Sequence, residues 1–222
     1  MPTPSSQPAR TGRPARLSRA DIVAAAHAVI EADGVEKLTM RRLAGALECT
    51  PMALYHHVRD KDDLLRLLLD DYADGIVWPA LPDDPRQRIL VAATAMHDAL
   101  AAHAWIVEVL VNGDLFGRSA LWVPETIIDA AVAAGLGIER AVAVYRAIWH
   151  YTAGDLIVTG RSARRAAQGP TYRAEVFANL DPDTMPRLAE VGSRWTEFDA
   201  VSTYATGLDA LVTGLLAEPG RA

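Results

Sequence analysis

Residues 38–61, LTMRRLAGALECTPMALYHHVRDK, constrain the fold of this chain more than any other stretch. Thr39 is placed to act as a helix N-cap, and Met40, Leu43, Ala44 and Leu47 follow at helical spacing. The pattern breaks at Glu48-Cys49. Thr50 can then cap a second helix, with Pro51 at its first position, where a missing N–H costs nothing. Leu54 and Val58 fall on the inner side, which leaves Met52, Ala53, Tyr55, His56 and His57 largely outside. Two short helices therefore meet at a tight turn. The second presents a polar face carrying a Tyr and a His pair, with Arg59 and Lys61 behind it. A face of that composition suits groove edges and phosphates of double-stranded DNA.

A net charge of −6 argues against nucleic acid until its distribution is read. Residues 1–20 hold Arg10, Arg13, Arg16 and Arg19 and no acid, whereas Asp62, Asp63, Asp70, Asp71 and Asp74 follow the motif. Local potential, more than the total, directs binding to one face. Half of the residues are hydrophobic, Ala and Leu dominate, and β-branched alternation is sparse, which predicts an all-α protein. No apolar run reaches bilayer length and the first residues lack a hydrophobic signal region, so no membrane partner is expected. The lone Cys49 fits a reducing, cytoplasmic setting.

Residues 1–16 are rich in Pro, Ser and Arg and read as a disordered basic arm. A helix-turn-helix domain follows over 17–63. Ser18 with Asp21 forms a capping box for its first helix, which buries Ile22, Ala26, Val29 and Ile30 and stops at Gly34. Asp60 with Asp63 repeats the device for a connecting helix over 64–78. Three prolines within residues 79–85 mark a linker. A larger helical bundle is expected over 79–218, with helices near 85–102, 104–112, 123–134, 138–159 and 195–217. A loop is expected from Gly160, with a short helix around residues 172–178.

Three spaced elements carry a resemblance. Thr39-x-Arg41-x-Leu43-Ala44, Leu54-Tyr55-x-His57-Val58 and Lys61-x-x-Leu64-Leu65 resemble the DNA-binding domain of the tetracycline-repressor (TetR) family of bacterial regulators, over about residues 17–72. One departure is Glu48, which stands where the family usually has Gly. If that residue must be left-handed, Glu costs roughly 1 kcal/mol relative to Gly. A second resemblance lies near the end of the chain. Phe198, Gly207-Leu208-Asp209, Leu211, Gly214 and Leu215 are similar to the last helix of the tetracycline repressor's own subclass, and residues 145–154 to the helix that pairs with it.

The resemblance implies a nucleoid-bound homodimer on a pseudo-palindromic operator, most often a repressor released by a small effector. It makes Tyr55, His57 and Lys61 phosphate contacts. Thr39, Arg41, Thr50, Pro51, Met52, Ala53 and His56 become candidates for phosphate or base contact. Arg41 is the candidate for guanine, because its fork matches the O6/N7 edge; a solvated ion pair with a helix acid is its alternative. The implied dimer surface takes in Ala147, Tyr151, Gly154, Tyr204, Leu208, Leu211, Gly214 and Leu215, where small residues allow helices to approach closely.

A cavity for a hydrophobic or amphipathic effector has its candidates in Met96, His97, His103, Trp105, Val109, Trp122, Trp149 and His150, which could equally be bundle core. No metal or other cofactor is expected: His97 and His103 are six apart and share no helix face, and a drug–magnesium site finds no match. Nor does the chain carry a Gly-rich phosphate loop, a nucleophile elbow or a paired-carboxylate arrangement, so it does not read as an enzyme. Two rivals stay open: a DNA-binding protein without an effector, and a helical enzyme or carrier with a vestigial head.

Overall fold

The computed structural model describes residues 17–112, 115–166, 169, 171–199 and 201–217. The basic arm with Arg10, Arg13 and Arg16 lies outside the described residues. Among those described, every regular element is an α-helix or a short 3-10 turn, so the all-α expectation holds. The chain divides into two compact units between Leu64 and Leu65.

The first unit is built from three short helices, each started by a side-chain cap. Ser18 Oγ accepts from Asp21 N at 3.1 Å and Asp21 Oδ2 accepts from Ser18 N at 2.9 Å, closing the capping box of α1 (Arg19–Asp33). Thr39 accepts from Arg42 N at 3.1 Å to open α2 (Met40–Ala46). Thr50 accepts from Ala53 N at 3.3 Å to open α3 (Pro51–Tyr55), with Pro51 at the first position. Ile22, Leu38, Leu43 and Leu54 are fully buried and Val58 nearly so. These five form the apolar centre on which the three helices converge.

The turn between α2 and α3 resolves the question of Glu48. It adopts φ 50°, the one positive φ outside glycine among the described residues. Glu48 N donates to Gly45 O at 3.3 Å and Cys49 N to Ala44 O at 3.0 Å. This pair of bonds is a Schellman closure, whose left-handed position normally carries Gly. Glu48 therefore holds a strained backbone, and the turn is tight despite it.

Helix α4 (Lys61–Asp74) runs unbroken across the division. Asp60 Oδ1 accepts from Asp63 N at 2.7 Å as expected, but Asp63 Oδ2 accepts from Arg59 N at 3.0 Å. The reciprocal half of the cap is thus displaced by one residue. The helix also ends at Asp74, short of residue 78. Gly75, two β-branched residues and then Trp78 before Pro79 all disfavour continuation.

The second unit packs α5 (Pro85–Ala101), α6 (Ala104–Asn112), α7 (Trp122–Ala133), α8 (Ile138–Ala166) and α12 (Tyr204–Leu216) around one core. Ala92, Ala93, Ala130, Ala131 and Ala141 are buried where α5, α7 and α8 meet, and Ile89, Ile127 and Ile148 fill the space between. Short helices α9 (Tyr172–Ala178), α10 (Pro186–Val191) and α11 (Trp195–Asp199) lie between α8 and α12 in the chain and pack on one another.

Two expectations are corrected. Helix α8 continues past Gly160 to Ala166, because one glycine costs about 1 kcal/mol and the Ala and Arg residues after it are strong helix formers. The helix expected over 195–217 is two pieces, α11 and α12. Val201, Ser202 and Thr203 lie between them, and β-branched and hydroxyl side chains compete poorly inside a helix. No single described helix is long and apolar enough to cross a membrane.

Candidate nucleic-acid interface

The outer surface of the first unit gathers the residues expected to meet DNA. Thr39, Arg41, Thr50, Pro51, Met52, Tyr55 and His56 are exposed, and Ala53, His57 and Lys61 are half-buried. Met52 is 67% exposed and Tyr55 46%, an apolar and an aromatic side chain left in water on a five-residue helix. Leu54 on the opposite side is fully buried and fixes which way this helix faces.

Arg41 and Arg42 are neighbours with different fates. Arg42 forms an ion pair with Asp33, which ties α2 to the end of α1. Arg41 makes no hydrogen bond or ion pair among the described residues, so the bland alternative of a helix salt bridge belongs to Arg42 instead. Arg59 is likewise engaged, with Nη2 3.2 Å from Asp63 Oδ1, and this raises its already high pKa. Lys61 donates from Nζ to the Val35 carbonyl at 3.4 Å. This bond draws the ammonium toward the 3-10 turn at Val35–Lys37.

The second unit contains a cavity of about 450 Å³. Met96 and Trp149, both expected there, line it. Leu69, Ile76, Trp78, Phe116 and Tyr145 line it too and were missed. Trp78 falls at the end of the expected connecting helix and Tyr145 in the expected helix pair; neither carries a local signal of facing a void. Gly117 explains how segment 115–121 forms part of the wall. A Cβ there would meet Leu69 C and O at 3.1 Å, so any other residue would push this segment a few tenths of an ångström away from α4. Ser119 N donates to Asp70 Oδ1 at 3.3 Å beside it.

The other expected cavity residues lie elsewhere. Trp122 stacks on Trp78 with centroids 4.6 Å apart, and His103 meets Tyr72 edge-on at 4.8 Å, each behind a lining residue. Trp105 is half-buried and Val109 buried, neither on the cavity wall; His150 is exposed. Positions 145 and 149 take the inner face of α8, which turns 150 outward.

His97 is instead part of a polar link between α5, α8 and α12. Its Nε2 lies 3.1 Å from Asp155 Oδ2, and its ring stacks on Tyr204 at 3.8 Å. The Tyr204 hydroxyl shares a 2.8 Å hydrogen bond with the fully buried Thr152 and donates to Ala93 O at 3.3 Å. Burial pushes the Tyr204 phenol up to about 12, so it stays protonated and keeps these bonds. Among the described residues no group of three or more His, Cys, Asp or Glu could hold a metal ion.

Residues 22–68 match the model of bacterial regulatory proteins of the tetR family, and residues 78–218 the tetracycline repressor-like C-terminal domain. The chain belongs to the TetR family of transcriptional regulators. An HTH-type transcriptional regulator of Saccharopolyspora erythraea is 32% identical over 63% of this chain and 60% of its own. The HTH-type transcriptional repressor DrrR1 of Streptomyces coeruleorubidus is 31% identical over 67% of this chain and 55% of its own. The chain thus spans less than two thirds of either relative. Among solved TetR-family structures, Streptomyces coelicolor ActR in complex with actinorhodin shares the fold at TM-score 0.75 and 22% identity, covering 93% of this chain and 99% of that one. BioQ with its double-stranded DNA operator matches at TM-score 0.61 and 25% identity, over 91% and 99%.

Within this TetR-family body, the positions expected at a dimer surface divide. Gly154 and Gly214 are exposed, and Ala147, Tyr151, Leu211 and Leu215 are half-buried. Tyr204 and Leu208 are buried in the protomer's own core with Val212. These three are four residues apart and form the inner stripe of α12, so they are not available to a second copy. Gly207 serves the same internal packing: a Cβ there would run into the Tyr151 ring, whose hydroxyl donates to Tyr204 O at 3.2 Å.

Proposed function

We propose that this protein is a homodimeric transcriptional repressor that grips a pseudo-palindromic DNA operator and is released by a small effector held in the body cavity. The observation that carries the reading is the face around Arg41, Met52, Tyr55 and His56. It is exposed, has a guanidinium without a partner among the described residues, and is held in place by two threonine caps and a buried Leu54. Such a face matches what base edges and phosphates require. Two copies entering successive major grooves would be about one helical turn, roughly 34 Å, apart.

The second copy is taken to dock on the outer sides of α8 and α12, where Gly154, Gly214, Ala147, Leu211 and Leu215 leave room for close helix approach. Effector binding must favour a conformation in which the two heads miss operator spacing, because equal affinity for both states would shift nothing. Arg10, Arg13 and Arg16 would add salt-dependent affinity through phosphate or minor-groove contact. The setting for this activity is the bacterial cytoplasm and its nucleoid.

A gel shift on the DNA flanking the gene, combined with equilibrium sedimentation, tests the proposal. Gly214→Glu is the informative variant: a Cβ at that position meets nothing within 4 Å in the protomer, so the fold is spared. The expected result is a wild-type dimer that shifts the DNA and a Gly214→Glu monomer that does not. A wild-type monomer at micromolar concentration, or no shifted fragment, rejects it. Truncation of residues 1–16 should flatten the log–log salt dependence of affinity by about 0.9 per lost phosphate contact.

A further inference from the structure

The chemistry of the cavity wall narrows what it can hold. None of the described residues lining the cavity is charged, and its heteroatom-bearing side chains are Tyr72, Tyr145, Trp78, Trp149 and Met96. The Tyr72 hydroxyl is already engaged, donating to Ala99 O at 2.6 Å. The Tyr145 hydroxyl and the Trp78 and Trp149 indole N–H groups make no hydrogen bond among the described residues. Nor are they sealed off as buried orphans: the described atoms of that kind are Arg88 Nε and Trp195 Nε1.

Three residues of the cavity wall therefore carry polar groups without a partner among the described residues, and the two indoles can only donate. Burial pushes the Tyr145 phenol above its ordinary value, so it too is a neutral O–H donor at physiological pH. Around them stand flat surfaces: Trp78 backed by Trp122, Trp149, and Phe116. At about 450 Å³ the space is of drug-ligand size.

We infer that the cavity selects an uncharged, flat, aromatic ligand that presents carbonyl or ether oxygens as hydrogen-bond acceptors to Tyr145 and the tryptophan N–H groups. This rests on the reading of the cavity as the effector site and gives that effector a chemical class. An ionised ligand would leave water for a wall with no counter-charge among its described residues. An aromatic ligand without acceptors would fit by shape but leave the donors unanswered. Ring stacking and a few placed donors together fix orientation.

Three probes of nearly equal shape test it by equilibrium dialysis with the full chain: 2-ethylanthraquinone, anthraquinone-2-carboxylate and 2-ethylanthracene, the last without any acceptor oxygen. The neutral quinone should bind best, and the carboxylate at least about tenfold more weakly. Tyr145→Phe should weaken the quinone alone, by about two- to tenfold, while the anthracene affinity stays unchanged and reports an intact fold. Ala120→Phe, which fills the cavity from its wall, should abolish binding of every probe.

Carboxylate binding as tight as the neutral quinone would overturn the proposed ligand class and leave the effector cavity standing. Equal loss of quinone and anthracene in Tyr145→Phe would overturn the role given to the acceptors. Failure of all three probes to bind, or binding untouched by Ala120→Phe, would overturn both the class and the cavity as the effector site.

Discussion

The two units are both helical, yet they solve opposite packing problems. In the head, short helices are fixed by local caps at Ser18, Thr39 and Thr50 and close on a centre with Ile22, Leu43 and Leu54 at 0% exposure. Its polar outer face stays open to solvent. In the body, long helices meet through alanines and border a partly open cavity of about 450 Å³. The head uses a rigid inside to present an outside; the body keeps an inside open. A binding surface needs the first, and a cavity for a small molecule needs the second.

The largest expected effect tests that contrast directly. Leu43→Ala removes a fully buried side chain from a filled core and should cost about 2–5 kcal/mol. Leu121→Ala shortens a cavity-wall side chain that is 48% exposed and should cost well under half as much. Thermal unfolding of the two variants decides it. Equal losses would mean that the cavity wall is packed as tightly in solution as the head.

The contrast also governs DNA recognition. Arg41 has no partner among the described residues, whereas Arg42 is held by Asp33, so the two arginines should respond differently. Arg41→Ala should lose about 1–3 kcal/mol of discrimination per half-site at one symmetric base pair. Tyr55→Ala and Lys61→Ala should weaken all sequences nearly alike. Binding selection on randomised operators separates these outcomes. Uniform weakening by Arg41→Ala would reduce Arg41 to a phosphate anchor.

How much was legible follows the same division. The caps, the Pro51 start, the inward Leu54 and the outward Tyr55 were readable because each rests on residues within a few positions of each other. The strain at Glu48, φ 50°, is foreshadowed only by the family resemblance, in which Glu stands where Gly is usual. The cavity was not: Trp78, Phe116 and Tyr145 converge from distant segments, and periodicity gives the facing side of a helix without saying whether a void lies there. The sequence offers His97 to that void because its partners, Asp155 and Tyr204, are 58 and 107 residues away in the chain. The dimer positions Tyr204 and Leu208 failed similarly, since a stripe of apolar residues does not say whether its own protomer or a second copy covers it.

A turn present in both units isolates backbone strain from packing. Leu136 N donates to Ala131 O at 3.2 Å and Gly135 N to Val132 O at 2.9 Å, the same closure that Glu48 makes after α2. Here the left-handed position is Gly135, φ 97°, and a Cβ there meets nothing within 4 Å. Gly135→Ala should therefore destabilise the body by about 1 kcal/mol through conformation alone. Glu48→Gly should stabilise the head by a similar amount, about 1 kcal/mol. Chemical denaturation of both variants checks the pair. Destabilisation by Glu48→Gly would mean that the Glu48 side chain contributes more than its backbone conformation costs.

The smallest effect concerns acid, and it belongs to the head's first cap. The Ser18 hydroxyl, and after it the Ser18 backbone N–H, donate to Asp21 and hold its carboxyl below the ordinary value of 3.8. A carboxyl depressed in the folded state stabilises above its unfolded pKa and loses that contribution as pH falls through the folded one. The cap should thus be fully effective at neutral pH and fade below about pH 4. Both groups are in solvent, so salt and water limit what the pair can add. The informative quantity is the stability difference between wild type and Ser18→Ala, followed from pH 6 to pH 2, in which other carboxylates cancel. A difference that shrinks with acid supports the reciprocal cap. A difference constant across that range would show that Ser18 acts only through its bond from Asp21 N, with the Asp21 carboxylate a bystander.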